Sequence, residues 1–135
     1  MKIRARTLAW AFAGVFLGAA VLGVVANPLV GEKSLFVTNS AHNLVHMATA
    51  IGFIVAALRG QKASIHFMQV FGVVYVLTAF VGFGTLGAQP EGYLLNSIHI
   101  NTPDNLLHLG LGIAIAAVGW LLQRDPYRRI TVGRV

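Results

Sequence analysis

One octapeptide occurs twice in the chain, and this repetition constrains the fold more than any other feature of the sequence. The segment Asn39–His46 reads NSAHNLVH, and the segment Asn101–His108 reads NTPDNLLH. The two copies lie 62 residues apart, and the same offset carries Asn27-Pro28 onto Gln89-Pro90. Agreement at a single offset indicates an internal duplication. We therefore expect the chain to fold as two similar halves.

Each copy of the octapeptide also carries the signals of a helix start. Ser40 and Thr102 each precede a long apolar run, which predicts that they are the N-caps. Pro103 then takes the first helical position, where its missing N–H costs nothing, and Asp104 lies in the first turn, where a carboxylate suits the helix dipole. The asparagine three residues after each cap is expected to reach back toward it, as glutamine does in a capping box.

The composition indicates a membrane protein of one small domain. Of the 135 residues, 56% are hydrophobic and 10% are charged, with a mean hydropathy of +0.73. A soluble domain has about 25% charged residues, so this chain cannot cover a surface that faces water. The chain has no cysteine, which excludes disulfides, thiolate metal sites and cysteine nucleophiles. It also lacks the common catalytic motifs, so we expect no enzymatic activity.

Four apolar segments are each about as long as the 20 residues that span a bilayer. They predict helices at residues 7–26, 40–58, 63–86 and 102–122. The predicted fold is all-α, an integral membrane four-helix bundle built from two parallel two-helix repeats. The single membrane domain covers residues 1–135, with repeat 1 at 1–62, repeat 2 at 63–124 and a basic cytoplasmic tail at 125–135. Small residues four apart, such as Gly14 with Gly18 and Gly112 with Ala116, are expected to let helices pack closely.

The positions of the basic residues predict how the chain is oriented in the membrane. Nine of the ten lysine and arginine residues lie in the N-terminal head, the turn after the second helix and the tail, and Lys33 is the exception. Because basic flanks remain in the cytoplasm, both termini are expected there. Anionic lipid head groups are then the expected partner of the cytoplasmic face, and nucleic acid is not.

The chain resembles the bacterial four-helix membrane family catalogued as domain of unknown function 4383. The resemblance rests on HNLVH at residues 42–46 and NTPDNLLHLG at residues 101–110, and it covers nearly the whole chain. It implies a multi-pass protein of the bacterial inner membrane. It implies no mechanism.

The octapeptides also supply a candidate metal site. His42 and His46 lie four residues apart, on one face of the second helix. Asp104 and His108 hold the matching positions of the fourth helix. If the two helix starts face each other, three imidazoles and a carboxylate meet, and these are suitable ligands for zinc or another divalent metal.

A haem is an alternative cofactor for the same region. His46 and His108 alone would be its axial ligands, bound without covalent attachment because the chain has no cysteine. Asn43 and Asn105 would then orient those ligands.

Three functions remain open from the residues. The first expectation is a structural or accessory membrane protein with no cofactor, in which the octapeptides cap helices and His46 and His108 each find a polar partner inside the bundle. The second is a metal- or haem-binding membrane protein. The third is a small solute or proton transporter, or a protein with a quinone pocket, which with four helices would act as an oligomer. A homo-oligomer or a larger membrane complex is compatible with all three.

Overall fold

Four long helices follow the apolar segments of the sequence. The computed structural model describes residues 4–124. The helices are α1 (Ala5–Leu22), α2 (Ser40–Arg59), α3 (Gln61–Leu86) and α4 (Thr102–Gln123). Each is long and apolar enough to cross a membrane, judged by length and composition. The prediction of four helices is confirmed, and the predicted tail at 125–135 lies outside the described residues.

The helices pair as two hairpins. α1 packs most extensively against α2, and α3 against α4. Gly60 alone separates α2 from α3 and has a φ of +100°, a conformation that glycine adopts without strain. A Cβ added at Gly72 would lie 2.8 Å from the Cβ of Ala116, so α3 and α4 are in backbone contact at this level. The prediction for Gly14 is wrong within the described chain, because a Cβ there would meet nothing within 4 Å.

The chain is mostly helical, as predicted, and its connections within residues 4–124 add four short strands. Strands β1 (Val30–Gly31) and β2 (Phe36–Val37) pair in parallel, and β3 (Glu91–Leu94) and β4 (Ile98–Asn101) pair in antiparallel fashion. Leu95 and Asn96 close the second pair with φ of 51° and 58°. The buried side chains of Leu94 and Ile100 pack on Leu86 at the end of α3. The second connection therefore folds back over the end of α3.

Aromatic side chains form the middle of the core. The ring of Phe16 on α1 lies 5.7 Å from that of Phe53 and 5.4 Å from that of Phe71, measured between centroids. Tyr75 stacks on Phe71 at 5.0 Å and extends the cluster toward the strands. The polar residues of the octapeptides lie directly above this apolar layer.

Candidate metal centre

Asn39 and Asn101, the first residues of the two octapeptides, are the N-caps of α2 and α4. The Asn39 Oδ1 accepts from the backbone N–H of His42 at 3.0 Å, and the Asn101 Oδ1 accepts from that of Asp104 at 3.0 Å. The prediction of Ser40 and Thr102 as caps is wrong by one residue, and both begin their helices instead. Asp104 still lies in the first turn, as predicted.

The two capping asparagines also connect the halves of the chain. The Asn39 Nδ2 donates to the carbonyl of Ser97 at 2.8 Å, and the Asn101 Nδ2 donates to the carbonyl of Leu35 at 2.9 Å. Leu35 and Ser97 are themselves 62 residues apart. Each half therefore donates to the same position in the connection of the other half, and this exchange holds the starts of α2 and α4 together.

All four residues predicted as metal ligands meet at this point. The exposed fractions of His42, His46, Asp104 and His108 are 2%, 6%, 2% and 4%. The ring of His42 lies 4.5 Å from that of His46 and 5.6 Å from that of His108, and the His46 and His108 rings are 6.4 Å apart. His46 and His108 thus both point into the bundle.

Two of the three imidazoles have one ring nitrogen held by an acceptor. The His42 Nδ1 lies 2.8 Å from the carbonyl oxygen of His99, so this nitrogen carries the proton and the lone pair lies on Nε2. The His108 Nε2 lies 3.3 Å from Asp104 Oδ1. Metal-binding histidines characteristically give their second nitrogen to a carbonyl or a carboxylate in this way.

The three imidazole rings converge. One nitrogen from each of His42, His46 and His108 lies within 4.8 Å of the other two. Bonds of about 2.0–2.1 Å to a tetrahedral zinc ion would place such nitrogens about 3.3 Å apart. The His42 Nε2 also faces Asp104 Oδ2 at 3.9 Å. Two lone-pair atoms this close can share one positive charge, either a proton or a metal ion.

A small cavity with apolar walls lies beside the histidines. Its volume is about 70 Å³, and α1 and α4 supply most of its apolar wall. Thr38 Oγ1, His46 Nδ1, Asp104 Oδ2 and His108 Nδ1 have no hydrogen-bond partner in the described chain, and all four residues line this cavity. Because buried polar atoms are nearly always paired, this set of atoms is suited to a bound cation.

Asn43 and Asn105 do not act as predicted. Neither side chain reaches back to its cap, and Asn43 Oδ1 and both amide atoms of Asn105 have no partner within the described residues. They occupy helix contacts instead, because a Cβ at Gly23 would overlap the amide of Asn43 and one at Gly82 that of Asn105.

A haem between His46 and His108 would require the helices to separate, since ligands of that size take pockets of about 300–1,000 Å³.

The two other described histidines lie outside the cluster. His66 is exposed near the start of α3, and its Nδ1 lies 2.9 Å from the carbonyl of Lys62. The His99 Nε2 faces Glu91 Oε2 at 3.7 Å, and its ring stacks on Tyr93. The contribution of His99 to the centre is its backbone carbonyl. Sequence reasoning missed it because every residue offers a carbonyl and no side-chain pattern marks it.

Comparison with known proteins supports the family resemblance. A family model described as Domain of unknown function (DUF4383) matches residues 6–121, which include both octapeptides. Comparisons with curated proteins and with solved structures give no match.

Proposed function

The chain belongs to the DUF4383 family, and we propose that it is a multi-pass membrane protein that binds a divalent transition metal through His42, His46 and His108. The observation that carries this proposal is the convergence of three buried imidazoles, in which a ring nitrogen of each histidine lies within 4.8 Å of the other two. Zinc fits best, since it takes three imidazoles and leaves a fourth position for a carboxylate or a water. Asp104 stands beside that position. The proposal includes no catalytic step.

A purely structural role explains the histidines less well. In that role His46 and His108 would each have a polar partner inside the bundle. His108 has one in Asp104, whereas His46 has no hydrogen bond among the described residues and its Nδ1 is buried without a partner. An unpaired buried polar group costs free energy that a metal bond would recover.

The proposal places the centre at the outer end of two parallel repeats in a bacterial inner membrane, with both termini in the cytoplasm. Two observations support the repeats: the reciprocal bonds of Asn39 and Asn101, and the matching burial of α2 and α4. The buried pairs at the 62-residue offset are His42/Asp104, Asn43/Asn105, His46/His108, Ala50/Gly112, Phe53/Ile115 and Ala57/Gly119. A twofold axis along the membrane normal relates such repeats.

Metal analysis tests the proposal. Protein purified in mild detergent without a histidine tag should carry about one metal ion per chain, or take up one Co²⁺ with visible absorption bands of a tetrahedral site. His46→Gln and His108→Gln should each abolish this binding. His66→Gln is the matched control, because that histidine is exposed and lies outside the cluster.

Two outcomes would overturn the proposal. If the wild-type protein neither retains metal nor binds Co²⁺, and the glutamine variants change stability by only about 0.6 kcal/mol, the histidines are packing contacts. A Soret absorption band that both substitutions remove would instead assign a haem.

A further inference from the structure

A second pocket lies on α2 and α3, far from the histidine cluster. Arg59 borders it, 13 residues along α2 from His46, which corresponds to about 20 Å at 1.5 Å per residue. The pocket is an open groove of about 460 Å³. Val55 on α2 and Val70 on α3 form part of its walls and are both exposed. The groove therefore presents an apolar surface on the outside of the bundle.

The end of this groove is basic. Arg59 and His66 line it, and Lys62 stands in the adjacent first turn of α3. All three are exposed, and no ion pair within residues 4–124 involves Arg59 or Lys62. The described carboxylates, Glu32, Glu91 and Asp104, belong to the strand-bearing end of the molecule. A cationic group thus ends an apolar groove without a neutralising partner in the described chain.

We propose that this groove binds one anionic phospholipid, with an acyl chain along the apolar walls and the phosphate on Arg59. A guanidinium binds a phosphate through paired charge-assisted hydrogen bonds, and Lys62 adds positive charge beside it. Basic pockets between membrane helices bind anionic head groups in the same manner. The segment Gly52–Arg59 covers about 10 Å of groove, long enough for the first part of an acyl chain. The proposal is independent of the metal centre.

Native mass spectrometry of the detergent-solubilised protein tests the head-group contact. Phosphatidylglycerol and phosphatidylcholine with identical acyl chains are added in equal amounts. We expect one phosphatidylglycerol to be retained per chain, and Arg59→Gln to lower its affinity about tenfold, the effect of removing a charged hydrogen-bond partner. Arg124→Gln is the control, because it removes the same charge at the end of α4, away from the groove.

A second pair of variants tests the apolar walls. Val70→Trp fills the groove and should abolish retention, whereas Val73→Trp, which lines a different groove, should leave it unchanged. Three results would each show that lipid binds nonspecifically and would overturn the proposal. They are equal retention of both lipids, equal loss in the Arg59 and Arg124 variants, and full retention by a folded Val70→Trp protein. If Val70→Trp does not fold, the two arginine variants decide.

Discussion

At the scale of single residues, Asp104 offers the most direct test of the proposed metal site. One carboxylate oxygen faces His108 at 3.3 Å and the other faces His42 at 3.9 Å, and the side chain is buried. Asp104→Asn keeps the shape but removes the charge, so metal affinity should fall about 10–100-fold while the fold persists. A Co²⁺ titration against a competing chelator measures this change. Glu91→Gln, a neutralisation at an exposed site beside His99, should leave the affinity unchanged. An unaltered affinity in Asp104→Asn would remove Asp104 from the centre.

The residue types of the cluster were predictable because the duplication marks them. The octapeptides align His42 with Asp104 and His46 with His108, and the structure brings all four together. The position of the cap was not predictable. Asparagine and serine cap helices about equally well, and the choice depends on backbone angles such as the φ of −130° at Asn39.

At the scale of elements, glycine sets the distance between α3 and α4. Gly82 faces the amide of Asn105, and the added methyl of Gly82→Ala would overlap that buried group. We expect Gly82→Ala to destabilise the protein by about 1–3 kcal/mol through overpacking. Gly84→Ala on the same helix meets nothing within 4 Å and should be neutral or stabilising by up to about 1 kcal/mol. Unfolding of both variants in mixed detergent micelles measures the difference, and equal stabilities would mean that the two helices separate easily here.

Helix bounds were predictable to within a few residues, and the deviations have local causes. α1 ends at Leu22, before the predicted residue 26, because the Asn27 side chain donates to the carbonyls of Leu22 and Val25 and replaces further helical bonds. The short strands could not be predicted, since two- to four-residue pairings give no periodic signal. Small residues spaced four apart indicate a smooth helix face, but they do not indicate whether another helix packs against it. For this reason the sequence could not show that no helix packs against Gly14 in the described chain.

At the scale of the whole molecule, the two ends differ in chemistry. The strand-bearing end holds the described carboxylates, the cluster of His42, His46 and His108, and the three close histidine–carboxylate contacts found in residues 4–124. The opposite end holds basic residues such as Arg59 and Lys62. This asymmetry, together with four helices long enough to span a bilayer, supports one orientation in the membrane.

That orientation predicts which residues a water-soluble reagent reaches. Ser97 and Lys62 are both exposed and lie at opposite ends of the bundle, and the natural chain has no cysteine. In intact spheroplasts an impermeant maleimide should label Ser97→Cys, because the cell exterior reaches it. It should label Lys62→Cys only after the membrane is opened, since the proposed orientation keeps the basic turn in the cytoplasm. Ser97→Cys keeps the backbone carbonyl that accepts from Asn39, so the connection between the halves is preserved.

A reporter fused after Val135 provides an independent measurement of the same orientation. It should be active only in a form that works in the cytoplasm, because α4 returns the chain to the basic side. Labelling of Lys62→Cys in intact spheroplasts together with a periplasmic reporter signal would reverse the orientation and place the histidine cluster at the cytoplasmic face. Labelling of both cysteines before the membrane is opened would show that the helices do not span the bilayer.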